Sequence, residues 1–173
     1  MFTDPVKNLK ALNLHENMIV ADLGAGTGFY TIPCAHMVPN GKVYAIEIIK
    51  DYITTIKNKA KEERLNNVDC FWGNVEEIGG TRIKDDIIDV VVASNVLFQI
   101  SDKDKFFEEM KRILKPGGRV LFIDWSPDTF VISMNKGGGL SKEKVVEIFK
   151  KKGFSLMRDI DVGNHHYGMI LKK

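Results

Sequence analysis

Short apolar runs alternate with amphipathic segments along most of the chain. Five of these runs are too short for buried helices and are bounded by turn-forming or charged residues, as expected of buried strands. They cover 18–23, 42–48, 68–73, 87–94 and 119–125. Three segments carry apolar residues at helical spacing and charges on the opposite face. They are 51–64, 101–114 and 141–154. This order predicts repeated β-α units.

Capping and turn residues set the expected boundaries of the later elements. Ser101, followed three residues later by an acid, is predicted to cap the helix that Pro116, Gly117 and Gly118 end. Ser141 is predicted to cap the last helix, and Gly153 lies just past its end. Two further apolar runs straddle Gly163–Asn164, a dipeptide that indicates a hairpin turn.

Repeated β-α units favour a parallel, doubly wound sheet. The closing hairpin requires one strand to run antiparallel. We therefore expect an α/β, Rossmann-like, seven-stranded, mostly parallel sheet, with a C-terminal antiparallel β-hairpin and helices on both faces. The length predicts a single domain, 1–173, with a short N-terminal segment, 1–17, before the first strand. In such sheets a ligand binds at the carboxyl ends of the strands, near the point where strand order reverses.

Composition narrows the class of protein. Hydrophobic residues make up 44% and charged residues 28% of the chain, which is typical of a soluble globular protein. A net charge of +2 makes a nucleic-acid partner unlikely. No apolar run is long enough to insert into a membrane, and the start lacks the pattern of a secretory signal, so a cytoplasmic protein is expected. Cys34 and Cys70 are accordingly expected to be free thiols rather than a disulfide.

The stretch VADLGAGTGFYTIP, residues 20–33, carries glycine at three alternate positions, Gly24, Gly26 and Gly28. Glycine lets the backbone adopt conformations closed to other residues and approach a ligand closely. Two explanations are open at this point: the loop holds a nucleotide-type cofactor, or the chain simply turns tightly after its first strand.

The order of several motifs favours a cofactor. DLGAGTG follows the first strand, an acid ends the second, GN follows the third, LKPGG precedes the fifth, and a hairpin closes the chain. Together they resemble the class I S-adenosylmethionine-dependent methyltransferases, and most closely the small-molecule group that includes quinone-biosynthesis enzymes. A nicotinamide dinucleotide is the rival cofactor. It predicts G-x-G-x-x-G, whereas this loop is G-x-G-x-G.

The resemblance implies which residues would contact S-adenosylmethionine and the product S-adenosylhomocysteine. They are Asp22, Gly24, Ala25, Gly26, Thr27, Gly28, Glu47, Ile48, Asn74, Val75, Ser94 and Asn95. Asp22 would lie near the ammonium group, although an aspartate there can instead cap its own loop. Glu47 would accept both ribose hydroxyls; its alternative role is an exposed charge. Asn74 stands where the family usually has an aspartate near adenine, and Asn95 is equally consistent with a structural turn.

The methyl acceptor should lie at the same edge of the sheet. Asp124 at the end of the fifth strand, Tyr30 at the start of the first helix and His166 beyond the hairpin turn are the candidate catalytic residues. Neighbouring residues on a strand face opposite sides, so at most one of His165 and His166 can face the acceptor. The alternative is a surface hairpin with solvated histidines. No metal site is expected, because adjacent histidines diverge and no third ligand is evident.

The resemblance implies an enzyme that transfers a methyl group to an O, N or C nucleophile, with a small molecule as the expected acceptor. An RNA or protein acceptor and a non-catalytic cofactor-binding subunit remain alternatives. The segment 126–140 is predicted to be a lid, with a plain linker as the alternative. Because segment 1–17 is short, that lid, a second subunit or nothing at all could cover the pocket. A monomer and a homodimer are both consistent with the sequence.

Overall fold

The computed structural model describes residues 4–127 and 139–173. Five helices are found in these ranges: α1 (Pro5–Lys10), α2 (Thr31–Met37), α3 (Lys50–Glu62), α4 (Lys103–Ile113) and α5 (Lys142–Lys151). The strands are β1 (Ile19–Leu23), β2 (Lys42–Glu47), β3 (Val68–Trp72), β4 (Ile88–Ser94), β5 (Leu114–Trp125), β6 (Ser155–Ile160) and β7 (His166–Lys172). A short 3-10 turn, Leu97–Gln99, lies between β4 and α4.

The seven strands form one sheet in the order β3-β2-β1-β4-β5-β7-β6. The pairs among β1 to β5 are parallel, whereas β7 runs antiparallel to both β5 and β6. The predicted fold class is therefore confirmed. Strand order reverses between β1 and β4, so the carboxyl ends of these two strands form the expected ligand crevice.

Helices cover both faces of the sheet. On one face, Phe106 and Phe107 of α4 and Phe149 of α5 pack with Phe122 of β5 in a fully buried cluster. On the other face, α1 and α2 cover the opposite side chains of β1, β4 and β5. The alternation of side chains along each strand thus gives the sheet two apolar layers, as expected for strands buried on both faces.

Two boundaries differ from the sequence prediction. Asp102, not Ser101, caps α4: its side chain accepts a hydrogen bond from Lys105 N at 3.1 Å. The helix ends at Ile113 and β5 follows at once, before Pro116 rather than after it. The residue that precedes a proline disfavours the helical conformation, and Gly117 has a φ of +76°, so 115–118 form a bulge where the β4–β5 register shifts.

The segment before β1 is part of the core. Asp4 caps α1 by accepting from Lys7 N at 3.1 Å, and Leu9 is fully buried against the sheet layer that α2 also covers. Cys34 and Cys70 are free thiols, as expected. Within 4–127 and 139–173, the helices are too short or too polar to cross a membrane.

Candidate cofactor and acceptor site

A cavity of about 380 Å³ opens at the carboxyl ends of the parallel strands. The segments that follow β1, β2, β3 and β4 form its walls, and those of its lining residues that the structure describes fall between Asp22 and Ile100. This volume lies in the range of small-molecule pockets, roughly 300–1,000 Å³. The crevice that the strand order creates is thus a site of ligand size.

The structure brings eleven of the twelve predicted cofactor residues together around this cavity. They are Asp22, Gly24, Ala25, Gly26, Thr27, Glu47, Ile48, Asn74, Val75, Ser94 and Asn95. Gly28 is not in the lining. Its φ is +87°, and a Cβ there would lie 3.2 Å from Ile56 Cγ1, so this glycine serves the turn and the packing of α3.

Gly24 lies where the loop meets the segment after β4. Its φ is +72°, and a Cβ added there would lie 2.6 Å from Val96 Cγ2. Gly26 is different, because a Cβ on it would meet nothing within 4 Å. The first glycine is therefore required by packing, and the second leaves open space beside the backbone.

Asp22 ends β1 and is only 2% exposed, yet it contributes to the cavity wall. Its Oδ2 accepts a hydrogen bond of 2.6 Å from Thr31 Oγ1 at the start of α2. Burial raises the pKa of Asp22 to about 6; the charge of Glu47 adds to this effect, and the bonds from Thr31 oppose it. A cation beside Asp22 would offset the cost of ionising this buried carboxyl group.

Glu47 accepts hydrogen bonds from three backbone amides. Oε1 accepts from Ile48 N at 2.8 Å and Ile49 N at 2.9 Å, and Oε2 accepts from Gly26 N at 2.8 Å. A carboxylate has about four acceptor positions, so this arrangement leaves one for a ligand hydroxyl. Accepting two hydroxyls, as the sequence predicts, requires one amide to be displaced.

Asn74 lies in the turn after β3 and is held by its neighbours. Its Oδ1 accepts from Glu76 N at 3.0 Å, and its Nδ2 donates to Glu77 Oε1 at 3.0 Å. The amide keeps one donor and one acceptor position for a ligand. The replacement of the usual aspartate therefore leaves this turn able both to donate to and to accept from a purine.

Asn95 adopts a left-handed conformation, with a φ of +55°. Its backbone amide donates to Ile123 O at 2.9 Å, which accounts for the predicted turn role. Its Oδ1 is buried and has no hydrogen-bond partner among the described residues. A buried acceptor without a partner is costly, so this oxygen is suited to a ligand donor.

Asp124 does not line the cavity and is 2% exposed. Its Oδ2 accepts from Leu97 N at 2.8 Å and its Oδ1 from Trp125 N at 2.7 Å. Burial raises the pKa of Asp124 to about 6, against the opposing effect of these amides. Because both oxygens face backbone groups, this geometry favours a positioning role over proton transfer.

The ring of His166 packs against that of Trp125 at a tilt of 36°, with ring centroids 3.9 Å apart. Its Nε2 is buried and has no partner within the described parts of the chain. Burial lowers the pKa of His166, and the neighbouring His165 lowers it further, so the ring is neutral near pH 7. His166 lies outside the cavity lining but at the same edge of the sheet, since it pairs with the last residue of β5.

Tyr167 faces the opposite side of the sheet from His166, in the core with Phe122. Tyr30 does line the cavity; it is 3% exposed, and Asn8 Nδ2 donates to its hydroxyl at 2.9 Å. Of the three candidate catalytic residues, Tyr30 alone therefore reaches the cavity wall.

Sequence reasoning missed nine further lining residues. They are Phe29, Ile46, Ile49, Tyr52, Gly73, Glu76, Val96, Gln99 and Ile100. Most are close neighbours of a predicted residue, so extending each motif by a few positions would have found them. Tyr52 lies in the first turn of α3, five positions after Glu47. The available signal was a large aromatic residue outside the apolar face of this amphipathic helix, where the structure leaves it exposed.

The predicted lid, 126–140, lies mostly outside the described residues. Across 4–127 and 139–173, no group of three His, Cys, Asp or Glu side chains is placed to hold a metal ion.

Comparison with known proteins agrees with this geometry. The model of a family described as a methyltransferase domain matches residues 14–168. The chain belongs to this methyltransferase family. The crystal structure of a SAM-dependent methyltransferase from Aquifex aeolicus is similar, with a TM-score of 0.86 and 29% identity, over 99% of this chain and 90% of that one.

Curated relatives within the family are similar over part of their length. A demethylmenaquinone methyltransferase from Geobacillus sp. (strain WCH70) is 31% identical over 71% of this chain and 52% of its own. A ubiquinone/menaquinone biosynthesis C-methyltransferase from Vibrio vulnificus (strain YJ016) is 34% identical over 64% of this chain and 42% of its own. The chain thus spans about half the length of these relatives.

Proposed function

We propose that this methyltransferase-family chain binds S-adenosylmethionine in the cavity between Asp22 and Ile100 and transfers its methyl group to a small-molecule acceptor. The observation that carries the proposal is the cavity wall itself. It combines an open backbone at Gly26, a buried carboxyl group at Asp22 and the carboxylate of Glu47 at the switch point of the sheet.

The residues present fit this cofactor. Asp22 and the unpartnered Oδ1 of Asn95 would receive the ammonium group, and the open side of Gly26 would admit the rest of the amino-acid part. The remaining acceptor position of Glu47 would take a ribose hydroxyl, and Ile48, which is 56% exposed, would be covered by the adenine. Asn74 keeps one donor and one acceptor position for the purine edge.

S-adenosylmethionine supplies a methyl group on a cationic sulfur. Held in the cavity by Asp22, Asn95 and Glu47, it would offer its methyl carbon to the acceptor atom, and the electron pair of the broken carbon–sulfur bond would stay on a neutral thioether. The protein must align the two partners and keep water away. An acceptor atom that starts protonated must also lose a proton, for which His166, neutral near pH 7 and at the same edge of the sheet, is a candidate base.

A small-molecule acceptor is favoured over RNA or protein. The net charge is only +2, and the names of the similar curated proteins describe quinone methylation. The aromatic side chains of Trp125 and His166 pack against each other at the same edge as the cavity. Aromatic side chains of this kind can pack against a planar ring of an acceptor. Demethylmenaquinone is therefore the first acceptor to test.

The experiment uses methyl-labelled S-adenosylmethionine with the purified protein and either demethylmenaquinone or a fractionated cell extract. We expect label in the small-molecule fraction, and its loss in Glu47→Ala. The matched control is Glu62→Ala, an exposed acid of α3, which should retain activity. Label in RNA or protein would overturn the acceptor class. Binding of the cofactor without any transfer would instead favour a non-catalytic subunit.

A further inference from the structure

Asp124 connects the strand on the acceptor side to the glycine loop through a short series of contacts. Its carboxylate holds the amides of Trp125 on its own strand and Leu97 on the segment after β4. Asp124 is only 2% exposed and is not one of the residues that line the cavity.

Leu97 begins the 3-10 turn that follows Asn95 and Val96. The hydrogen bond that holds the amide of Leu97 also restricts the residues on both sides of it. Four residues of this segment line the cavity. They are Asn95, Val96, Gln99 and Ile100. The buried hydrogen bond from Leu97 to Asp124 therefore sets the position of an entire cavity wall, although Asp124 itself is no part of that wall.

Val96 transmits this position to the glycine loop. Its Cγ2 lies 2.6 Å from the place that a Cβ of Gly24 would occupy, so the two segments are in close contact. If the 3-10 turn shifts, Val96 must move relative to Gly24, because interiors are packed closely enough that small displacements are felt by neighbours.

We propose that Asp124 is a positioning residue for the amino-acid half of the cofactor, acting through Leu97 and Val96 on the loop at Gly24. This inference rests on the proposed function, since it takes the cofactor's amino-acid part to lie against the glycine loop. The adenosine half, at Glu47 and Asn74, lies one step further along this series, beyond the bond from Gly26 N to Glu47 Oε2, and should depend less on Asp124.

The test compares two probes in calorimetry. S-adenosylhomocysteine carries both halves of the cofactor, whereas 5′-methylthioadenosine lacks the amino-acid part. Asp124→Asn keeps one acceptor oxygen for two buried backbone amides, so we expect S-adenosylhomocysteine to bind about tenfold more weakly and 5′-methylthioadenosine to lose clearly less affinity. Val96→Ala, which keeps Asp124 intact, should weaken S-adenosylhomocysteine selectively by roughly threefold.

Asp89→Asn is the matched control. Asp89 also accepts a backbone amide of a neighbouring segment, Ile19 N at 2.8 Å, but at the opposite edge of the sheet from the cavity. It should lower thermal stability without changing the ratio of the two affinities, as a purely structural carboxylate would.

Each outcome has one meaning. Equal weakening of both probes in Asp124→Asn, or the same selective loss in Asp89→Asn, would overturn the inference. If Asp124→Asn does not fold, the result for Val96→Ala decides, and an unchanged ratio there counts against it. If the unsubstituted protein binds neither probe, the proposed function itself fails, which is a distinguishable result.

Discussion

Thr31 donates a hydrogen bond of 2.6 Å to Asp22, and this bond joins the end of β1 to the start of α2 inside the protein. The carboxyl group is 2% exposed and has no basic partner among the described residues, so its ionisation is costly until a cationic ligand arrives. On the proposed function, Asp22 is thus a residue that binding needs and that stability does not.

Asp22→Asn is expected to stabilise the ligand-free protein at pH 7.5 and to weaken cofactor binding. Burial raises the pKa of Asp22 to about 6, so the folded protein holds a proton that the unfolded chain releases near pH 4. The loss of folding free energy that the ionised Asp22 causes is therefore small below pH 4 and grows as the pH rises to 6. Above pH 6 it reaches its full value of about 3 kcal/mol. Thermal unfolding at pH 4.5 and 7.5 measures the difference, which should fall to about a third at the lower pH.

The same variant should bind S-adenosylhomocysteine at least about tenfold more weakly at pH 7.5, because the ammonium group loses a charged partner. Its affinity for 5′-methylthioadenosine, which has no ammonium group, is the internal control. A variant that is no more stable and binds both ligands normally would remove Asp22 from the site.

Gly24→Ala should abolish tight cofactor binding. The φ of +72° costs a non-glycine residue about 1–2 kcal/mol, and the new Cβ would displace Val96 from the cavity wall. Gly117→Ala is the matched control, since Gly117 has a similar φ of +76° but lies at the bulge of β5, with Lys172 Cε at 3.7 Å as the nearest contact. Both variants should unfold at lower temperature, and only Gly24→Ala should lose affinity in calorimetry. Equal affinities in the two variants would contradict the packing argument.

Glu109→Ala should be the most destabilising exchange of a charged residue on α4. The side chain is fully buried and accepts from Gly79 N at 2.8 Å, Thr81 Oγ1 at 2.6 Å and Arg112 Nη2 at 2.8 Å. Its removal leaves these donors without their acceptor, at a cost of about 3–5 kcal/mol in urea unfolding. Glu108→Ala removes only a partly exposed ion pair with Lys152 and should cost less than about 1 kcal/mol. Similar losses of stability in the two variants would show that the hydrogen bonds of Glu109 do not hold the turn at 79–81 in place.

His166→Ala is expected to lower turnover by roughly 100-fold with little change in cofactor affinity, if His166 serves as the base. His165→Ala is the control, because His165 is exposed and lies just before β7. Steady-state kinetics with the acceptor that the labelling experiment identifies separates the two. Unchanged turnover in His166→Ala would leave the ring with no more than a packing role against Trp125.

Hydrophobic pattern predicted the fold because strands buried on both faces and amphipathic helices have different periods. The same pattern could not distinguish Ser101 from Asp102 as the cap of α4, since either side chain can accept the amide three residues on. The cofactor residues were predicted from motifs that follow individual strands, which is why eleven of them meet at one cavity.

The acceptor side was less accessible to sequence reasoning. Topology placed Asp124 and His166 at the edge of the sheet where the cavity opens, but it does not reveal that two backbone amides occupy both oxygens of Asp124. Likewise, the contact between Val96 and Gly24 joins residues more than 70 positions apart and carries no local signal. Such contacts depend on tertiary packing, and no local pattern in a single sequence predicts them.

Within 4–127 and 139–173, the cavity lining is confined to 22–100, and this has an evolutionary consequence. Strands β5 to β7 can accumulate substitutions, and so adapt to new acceptors, without altering the residues that would hold the cofactor. Asp124 is where this independence ends, because a change there at the acceptor edge alters the backbone that shapes the other half of the site. Lineages derived from this fold should therefore vary more along the exposed strand β6 than at Asp124.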